Sequence, residues 1–226
     1  MPAKFVFKGV VATGDLFHRI VASCADKSGI EIPKVLFNYD ESGPMPITSP
    51  FRWCGNGKSV WLRAVTDEAE SQALPHIKSI ASALKHHLGS VPAVTIVDQP
   101  MSASPLPYAI DYAVLNMIVD VPKQHQGSKE SVEAFITENL TNRVAESFSR
   151  QAKDIGLDIP VPLQTGECIE YALIEKIVPV RVKANASRFQ MAVTATLGIR
   201  AALSEGWAVG RMLSRGHGSL VKARRV

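Results

Sequence analysis

A short proline- and serine-rich segment divides this 226-residue chain into two halves of similar length. Asp98–Pro107 contains three prolines and two serines, which is typical of inter-domain linkers. Each half has the size of an ordinary domain with its own core. The sequence therefore predicts an N-terminal domain over residues 1–100, a linker over 101–107 and a C-terminal domain over 108–226.

The N-terminal half alternates strand and helix signals. Thr13 and Gly29 enclose apolar residues at helical spacing, and Thr66 and Gly89 enclose a second such stretch that contains Pro75. Runs of β-branched and aromatic residues predict the strands Lys4–Ala12, Lys34–Tyr39 and Val91–Val97 and a hairpin over 51–65. This order is that of a ferredoxin-like βαββαβ unit.

The C-terminal half repeats the order loosely. Its apolar patterns predict the strands Tyr108–Val119, Tyr171–Val182, Phe189–Leu197 and Ser219–Arg224 and the helices Ser128–Ile155 and Arg200–Glu205. The predicted fold class is therefore α+β, with two tandem ferredoxin-like (RRM-like) βαββαβ folds and a C-terminal glycine-rich loop.

Positive charge is concentrated at the C-terminal end. The chain has a net charge of +4, but residues 181–226 hold nine Lys and Arg against the single acid Glu205. This asymmetry predicts an anionic partner, with a basic solvated tail as the alternative. The segment is rich in Gly, Leu, Met and Val, which favours a folded, anion-binding region.

Other features argue against several classes of protein. Cys24, Cys54 and Cys168 are far apart, with no C-x-x-C and no histidine at ligand-like spacing, so we expect no disulfide framework, metal or cofactor. The longest apolar runs are shorter than the roughly 18–20 residues of a membrane span, and the N-terminus alternates like a strand. We therefore expect a cytoplasmic protein without a membrane partner.

The last two dozen residues, Leu203–Val226, interleave glycines with cationic side chains. A dinucleotide-binding fingerprint would follow a strand and open a helix, whereas only a strand-like end follows these glycines. We interpret them instead as a backbone nest around a phosphate, with a plain glycine-rich turn as the alternative. The residues predicted to bind the anion are Arg200, Arg211, Ser214, Arg215, Gly216, His217, Gly218, Ser219 and Lys222.

Residues 202–222, ALSEGWAVGRMLSRGHGSLVK, resemble the C-terminal glycine-rich loop of the CRISPR-associated RAMP superfamily. More narrowly, they are similar to the repeat-processing endoribonucleases that mature CRISPR RNA, in which this loop and a terminal strand close a second RRM-like fold. His217 stands where an aromatic residue is usual, and a divergent branch such as the type IV systems fits this departure. The tandem ferredoxin-like order extends the similarity over the whole chain.

The resemblance implies a metal-independent endoribonuclease. Such a protein binds a CRISPR RNA repeat hairpin and cleaves it at the 3′ base of the stem by attack of a ribose 2′-OH. It can remain bound as a subunit of the effector complex, beside the other effector subunits. Two alternatives stay open: a non-catalytic RAMP subunit that caps the 5′ handle of the guide RNA, and a phosphate-binding ferredoxin-like protein for a small ligand.

The catalytic candidates that the resemblance suggests lie in the N-terminal half. The family often places its histidine on or just after the first helix, where His18 lies; a packed structural histidine is the alternative. Arg19 and Arg52 are the next candidates, because some branches rely on arginines, and His217 is a possible acid or phosphate donor. We expect His86 and His87 to be solvated.

Recognition by shape and phosphate contacts is expected rather than base stacking. Aromatic residues make up only 7% of the chain, and no RNP-like aromatic pair stands out. In the long predicted helix, Arg143, Arg150 and Lys153 share one stripe that could follow RNA phosphates. Acidic residues share this helix, however, so a mixed solvated face is the favoured interpretation.

Overall fold

The computed structural model describes residues 2–40, 43–44, 49–180, 189–211 and 213–223. The chain forms two compact units. The first comprises Met1–Met101 together with Leu213–Gly216, and the second comprises Ser102–Met212 together with His217–Val226. The first unit is therefore discontinuous in sequence, because four residues of the glycine-rich loop belong to it.

An antiparallel sheet organises the first unit. Its elements are β1 (Ala3–Phe7), α1 (Gly14–Ser28), β2 (Tyr39–Asp40), β3 (Gly43–Pro44), β4 (Phe51–Gly55), β5 (Val60–Ala64), α2 (Asp67–Ala73), α3 (Ile77–Leu88) and β6 (Val94–Asp98). The main sheet has the order β4-β5-β1-β6, while β2 and β3 form a separate small hairpin. Leaving this hairpin aside, the second, third, first and fourth strands follow one another across the sheet. This is the predicted ferredoxin-like arrangement.

One face of the first sheet carries the core. Residues Ala3, Phe5 and Phe7 alternate with less buried neighbours along β1, as the two-residue period of a strand requires. The ring centroid of Phe17, on α1, lies 5.4 Å from that of Phe7 and 5.3 Å from that of Trp53 on β4. The first helix therefore packs directly on the centre of the sheet.

The helix boundaries in this unit follow the sequence signals. Thr13 precedes α1 in an extended conformation, and Gly29 follows it with a left-handed φ of 63°. The second helical stretch is interrupted where Pro75 occurs, because a 3₁₀ turn over Leu74–His76 separates α2 from α3. The predictions for both helices are confirmed.

The prediction of a strand over Lys34–Tyr39 is wrong. Residues Lys34–Phe37 form a 3₁₀ turn, which ends at Asn38 with a left-handed φ of 63°. The Trp53 indole Nε1 donates a 2.8 Å hydrogen bond to the carbonyl of Leu36, so a tertiary contact holds the turn. The predicted strand Lys4–Ala12 is also shorter, since β1 ends at Phe7 and Gly9 has a φ of 81°.

The second unit repeats the same strand order. Its elements are β7 (Ala103–Val121), α4 (Lys129–Ile155), α5 (Val161–Thr165), β8 (Ile169–Val180), β9 (Phe189–Leu203) and β10 (Ser219–Lys222), with a 3₁₀ turn over Lys123–His125. The sheet order is β10-β7-β9-β8. From the β8 edge, the second, third, first and fourth strands of the unit follow one another, as in the first sheet. The last residues of two predicted strands, 181–182 and 224, lie outside the described residues. Two ferredoxin-like sheets in tandem confirm the predicted fold class.

The long helix α4 has the predicted boundaries. The Ser128 hydroxyl accepts a 3.1 Å hydrogen bond from the Ser131 amide, and Gly156 ends the helix with a left-handed φ of 66°. Its buried stripe includes Phe135, Leu140 and Phe148. None of the helices in the described ranges is long and apolar enough to cross a membrane.

The prediction of a helix over Arg200–Glu205 is wrong, because β9 continues through Leu203. Ala201 and Ala202 are opposite Pro105 and Ser104 of β7, so sheet pairing overrides their helix propensity. Residues 103–107, predicted as linker, form the start of β7. In the described residues, the pairing of β10 with β7 covers Tyr112–Leu115, so Pro105 and Pro107 lie outside it. Between β9 and β10, the described helical residues are the 3₁₀ turn Leu213–Arg215 of the first unit.

Candidate functional site

His18 lies on the buried side of α1, within a group of aromatic rings. Its ring centroid is 5.1 Å from Phe37 and 6.1 Å from Trp53, with both rings meeting it edge-on. Phe37 in turn stacks on Trp53 at 5.1 Å. Only 8% of His18 is exposed. The histidine is therefore held in one orientation by aromatic packing, with little solvent access.

Arg19 faces solvent from the same helix, as the 100° rotation between successive residues requires. Its guanidinium forms a 2.9 Å ion pair with Asp15, and 68% of its side chain is exposed. Arg19 also lines a shallow hollow on α1 and α3 together with Lys27, His86 and His87. Four cationic or protonatable side chains thus border this hollow, which makes it attractive to a phosphate group.

Arg52 is buried and lies opposite a second buried arginine. In the β4–β5 register it pairs with Arg63, on the face of the sheet opposite that of Trp53. The Arg63 guanidinium donates a 2.6 Å hydrogen bond to the carbonyl of Gln99. Burial lowers the pKa of Arg52 to about 10; Cys54 opposes this decrease and Arg63 adds to it. Arg52 is thus still protonated at neutral pH, but in the interior of the protein.

The loop segment Leu213–Gly216 packs against the start of α1 and against β4. Gly216 has a left-handed φ of 77°, and a Cβ atom placed on it would lie 2.2 Å from the Trp53 carbonyl oxygen and 3.0 Å from Gly14 Cα. Gly14 is equally close to the same carbonyl, since its Cβ would lie 2.4 Å away. Both positions therefore require glycine, and the loop, the helix and the strand meet through their backbones.

This segment places Arg215 beside Tyr39. The Arg215 Nη2 donates a 3.4 Å hydrogen bond to the Tyr39 hydroxyl, and the neighbouring Ser214 is buried. Tyr39 is not among the residues predicted from the sequence. The sequence contains only an indirect indication of Tyr39, which directly follows the turn-forming Asn38 in the proline-rich stretch.

Gly218, a loop glycine of the second unit, also makes a close backbone contact. Gly218 has a φ of 68°, and a Cβ there would lie 1.8 Å from the carbonyl oxygen of Val209. Its amide donates a 2.8 Å hydrogen bond to the Leu115 carbonyl, and the Gly216 amide donates to the Leu213 carbonyl at 2.9 Å. These amides are therefore bonded within the protein. An anion at this loop would be bound by side chains rather than by a nest that contains these two amides.

The remaining predicted RNA-binding residues lie on separate elements of the second unit. Arg200 on β9 donates a 3.0 Å hydrogen bond to the Glu167 carbonyl and lies 3.5 Å from the Glu170 carboxylate. Arg211 forms a 2.6 Å ion pair with Asp120 of β7. His217 is half-buried, Ser219 begins β10 and Lys222 ends it as an exposed cation. These residues thus do not form one cluster on the loop.

In the first unit, by contrast, several predicted residues share one neighbourhood. The ring of His18 meets that of Trp53 edge-on, and Gly216 packs against the Trp53 carbonyl, with Arg215 next to it in sequence. Arg52 is next to Trp53 in sequence but projects from the opposite face of the sheet. In the described part of the chain, no group of three His, Cys, Asp or Glu side chains has the arrangement needed to hold a metal ion.

Known proteins resemble this chain along nearly its whole length. A family model described as the type IV CRISPR-associated endonuclease Csf5 matches residues 12–225. A solved structure of Csf5, a CRISPR-Cas type IV Cas6 crRNA endonuclease, superimposes with a TM-score of 0.71 and 15% identity, over 99% of this chain and 98% of that chain. A crystal structure of Cas6b gives a TM-score of 0.64 and 13% identity, over 99% and 100%. At such low identities the structures show the shared fold, and none of the curated proteins matches the sequence.

Proposed function

The chain belongs to the family of type IV CRISPR-associated endonucleases, and from this premise we propose that it matures CRISPR RNA by cleaving a repeat hairpin at the 3′ base of its stem. The observation that carries the proposal is the family match over residues 12–225. The tandem ferredoxin-like sheets, each with the same strand order, support it. A role as a retained subunit, in contact with other effector proteins, belongs to the same proposal.

The proposed reaction uses the RNA itself as nucleophile and no metal ion. A base removes the proton of the ribose 2′-OH at the cleavage site, and the 2′-oxygen forms a bond to the adjacent phosphorus. The bond from phosphorus to the 5′-oxygen breaks, and that oxygen takes up a proton. The products are a 2′,3′-cyclic phosphate and a 5′-OH end. Cations around the phosphate stabilise the charge that develops in the transition state.

We assign the base to His18 and the cationic roles to Arg215 and Arg19. An imidazole suits proton transfer near neutral pH, and the aromatic rings fix its orientation. Arg215 is held by Tyr39 and by the glycine contact beside it, which limits the entropy lost when it binds a phosphate. Arg52 is only 1% exposed, so we assign it a structural role in the sheet.

Cleavage of a labelled repeat hairpin in the presence of EDTA tests this function. We expect a single cut that leaves a 5′-OH end, and we expect His18→Ala to lose at least about 100-fold in rate, the usual contribution of a general base. The matched control is His76→Ala, a partly exposed histidine in the 3₁₀ turn Leu74–His76 that lines no proposed site, and it should cut normally. Unchanged cleavage by His18→Ala would remove His18 from the mechanism, and tight binding without any cut would exclude the enzyme.

A binding-only RAMP subunit is the second candidate, and the burial of His18 favours it. A histidine with 8% exposure must gain access to a ribose hydroxyl before it can act as a base. Such a subunit would hold the 5′ handle of the guide RNA through the same cations. It would bind the 5′ handle as tightly as the hairpin and would cut neither. Absence of RNA binding at low salt would exclude both candidates and favour a small phosphate ligand.

A further inference from the structure

A cleft of about 50 Å³ in the second unit is lined by three arginines that have no role in the proposed cleavage reaction. It lies where α4 passes the central part of β7 and the residues after Val209. The polar side chains that line it are Asp120, Arg143, Glu146, Ser147, Arg150 and Arg211. A buried water needs roughly 10–15 Å³ of such space, so the cleft has room for a few waters or for one phosphate group.

The frame of the cleft is fixed by hydrogen bonds from α4 to the incoming loop. The buried Ser147 hydroxyl accepts a 2.9 Å hydrogen bond from the Gly210 amide, and Arg150 Nη2 donates a 3.2 Å hydrogen bond to the Gly210 carbonyl. One turn of α4 therefore binds both the amide and the carbonyl of Gly210. Gly210 also approaches β7 so closely that a Cβ would lie 2.7 Å from the Ile118 carbonyl oxygen.

Arg211 is oriented from the opposite side of the cleft. Its amide donates a 3.1 Å hydrogen bond to the Ile118 carbonyl, and its Nε is 2.6 Å from Asp120 Oδ2. The other oxygen of Asp120 accepts a 2.7 Å hydrogen bond from Gln190. A guanidinium has five N–H donors, so a side chain held through Nε can still present its terminal nitrogens to an anion. This is a preorganised arrangement for bidentate binding.

The charge of the cleft favours an anion. Three guanidinium groups face two carboxylates, and Asp120 is already bound to Arg211. Glu146 forms only a loose 3.6 Å pair with Arg143, and 66% of its side chain is exposed, so this pair contributes little. Glu146 can turn away into solvent when an anion enters, which leaves a net positive site.

We infer that this cleft binds one phosphate of the RNA backbone, with Arg143 and Arg211 as its principal ligands and Arg150 as the residue that positions the loop. The inference rests on the proposed function, because it takes the anion to be part of the repeat RNA. A cleft of about 50 Å³ suits a phosphate better than a nucleobase, so we expect the contact to fix the path of the strand across α4 rather than to read sequence. The acidic residues that share this helix do not prevent such a site, because the loop supplies the third arginine.

Binding of a fluorescent repeat hairpin at several salt concentrations tests the site. Arg143→Gln and Arg211→Gln should each weaken binding about tenfold, as for a lost charge-assisted hydrogen bond. Loss of one phosphate contact should reduce the slope of log affinity against log salt by about 0.7–0.9. The matched control is Lys129→Gln, on the same helix, where an exposed ion pair with Glu133 at 3.6 Å is broken by the same change in charge. Its affinity and slope should equal those of the wild type.

Replacing single phosphates of the hairpin by uncharged methylphosphonates locates the contact. At one position the replacement should weaken binding of the wild type but not of Arg143→Gln, because both changes remove the same interaction. If no position shows this loss of additivity, or if Arg143→Gln binds like the wild type, the cleft does not hold RNA. Inorganic phosphate that stabilises the wild type but not Arg143→Gln against heat, while both bind RNA equally, would assign the cleft to a free anion and overturn the inference.

These outcomes are distinct from a failure of the proposed function. A wild-type protein that neither binds nor cuts the hairpin would overturn both proposals. A wild-type protein that binds and cuts, together with an unaffected Arg143→Gln variant, would overturn only the assignment of the cleft. Circular dichroism melting curves should show that each variant is folded before its affinity is compared.

Discussion

Substituting alanine for Gly216 should destabilise the first unit strongly, for two separable reasons. The residue has a φ of 77°, and a left-handed conformation costs a non-glycine residue roughly 1–2 kcal/mol. A methyl group would also lie 2.2 Å from the Trp53 carbonyl oxygen and 3.0 Å from Gly14 Cα, so backbone must move. Inserting an extra carbon into a packed site typically costs about 1–3 kcal/mol. The expected total is about 2–5 kcal/mol.

Gly9→Ala is the matched control, because it has the strain without the contact. Its φ is 81° and a Cβ there would meet no atom within 4 Å, so we expect a loss limited to the conformational part, roughly 1–2 kcal/mol. The difference between the two variants then isolates the packing of the loop against β4 and α1. Both residues belong to the first unit, which makes the comparison direct.

Urea denaturation followed by tryptophan fluorescence is a suitable assay, since Trp53 lies at the contact. The free energy of unfolding of Gly216→Ala should fall below that of Gly9→Ala by at least about 1 kcal/mol. In thermal melts, a loss of 2–5 kcal/mol in a domain of this size corresponds to a decrease in midpoint of about 10 °C or more. Equal stabilities of the two variants would refute the tight contact between Gly216 and the Trp53 carbonyl.

Two further predictions concern buried polar groups. Ser147→Ala leaves the Gly210 amide without its 2.9 Å acceptor, so we expect about 1–3 kcal/mol less stability in urea, whereas Ser149→Ala on the same helix should change it by less than about 1 kcal/mol. The lowered pKa of Arg52, about 10, means that the unfolded chain holds this proton more tightly, so stability should rise with pH above about pH 10. Arg52→Met should remove this contribution, which is at most about 1.4 kcal/mol per pH unit. A difference in the free energy of unfolding between wild type and variant that stays constant from pH 9 to 11 would contradict the prediction.

Local signals allowed much of the fold to be predicted from the sequence. Thr13 and Gly29 bound α1, and Ser128 and Gly156 bound α4, because capping preferences act within a few residues. The errors occurred where distant pairing decides. Residues after Arg200 extend β9 because β7 lies beside them, although their alanines and leucine favour a helix.

The candidate site was less accessible to prediction from sequence. His18 was identified from its position, but its burial depends on Phe37 and Trp53, which reach it from other elements. Tyr39 became a candidate only because Arg215, far along the chain, donates to it. The arginines on α4 looked like part of a mixed solvated face, because Arg211 joins them only in the folded structure. Such long-range contacts have no signature in a single sequence.

The discontinuity of the first unit has a consequence for how the chain is made. The ribosome adds Met101 more than one hundred residues before it adds Leu213–Gly216. During that part of synthesis, the first unit lacks the segment that packs on Gly14 and Trp53. Bringing Gly216 to Gly14 then closes a loop of about two hundred residues, whose entropic penalty grows only with the logarithm of its length. Until then, the backbone of Gly14 and Trp53 lacks the contact that Gly216 makes with it in the folded protein. The contact of Gly216 with Gly14 and Trp53 can form only after residue 216 has been synthesised.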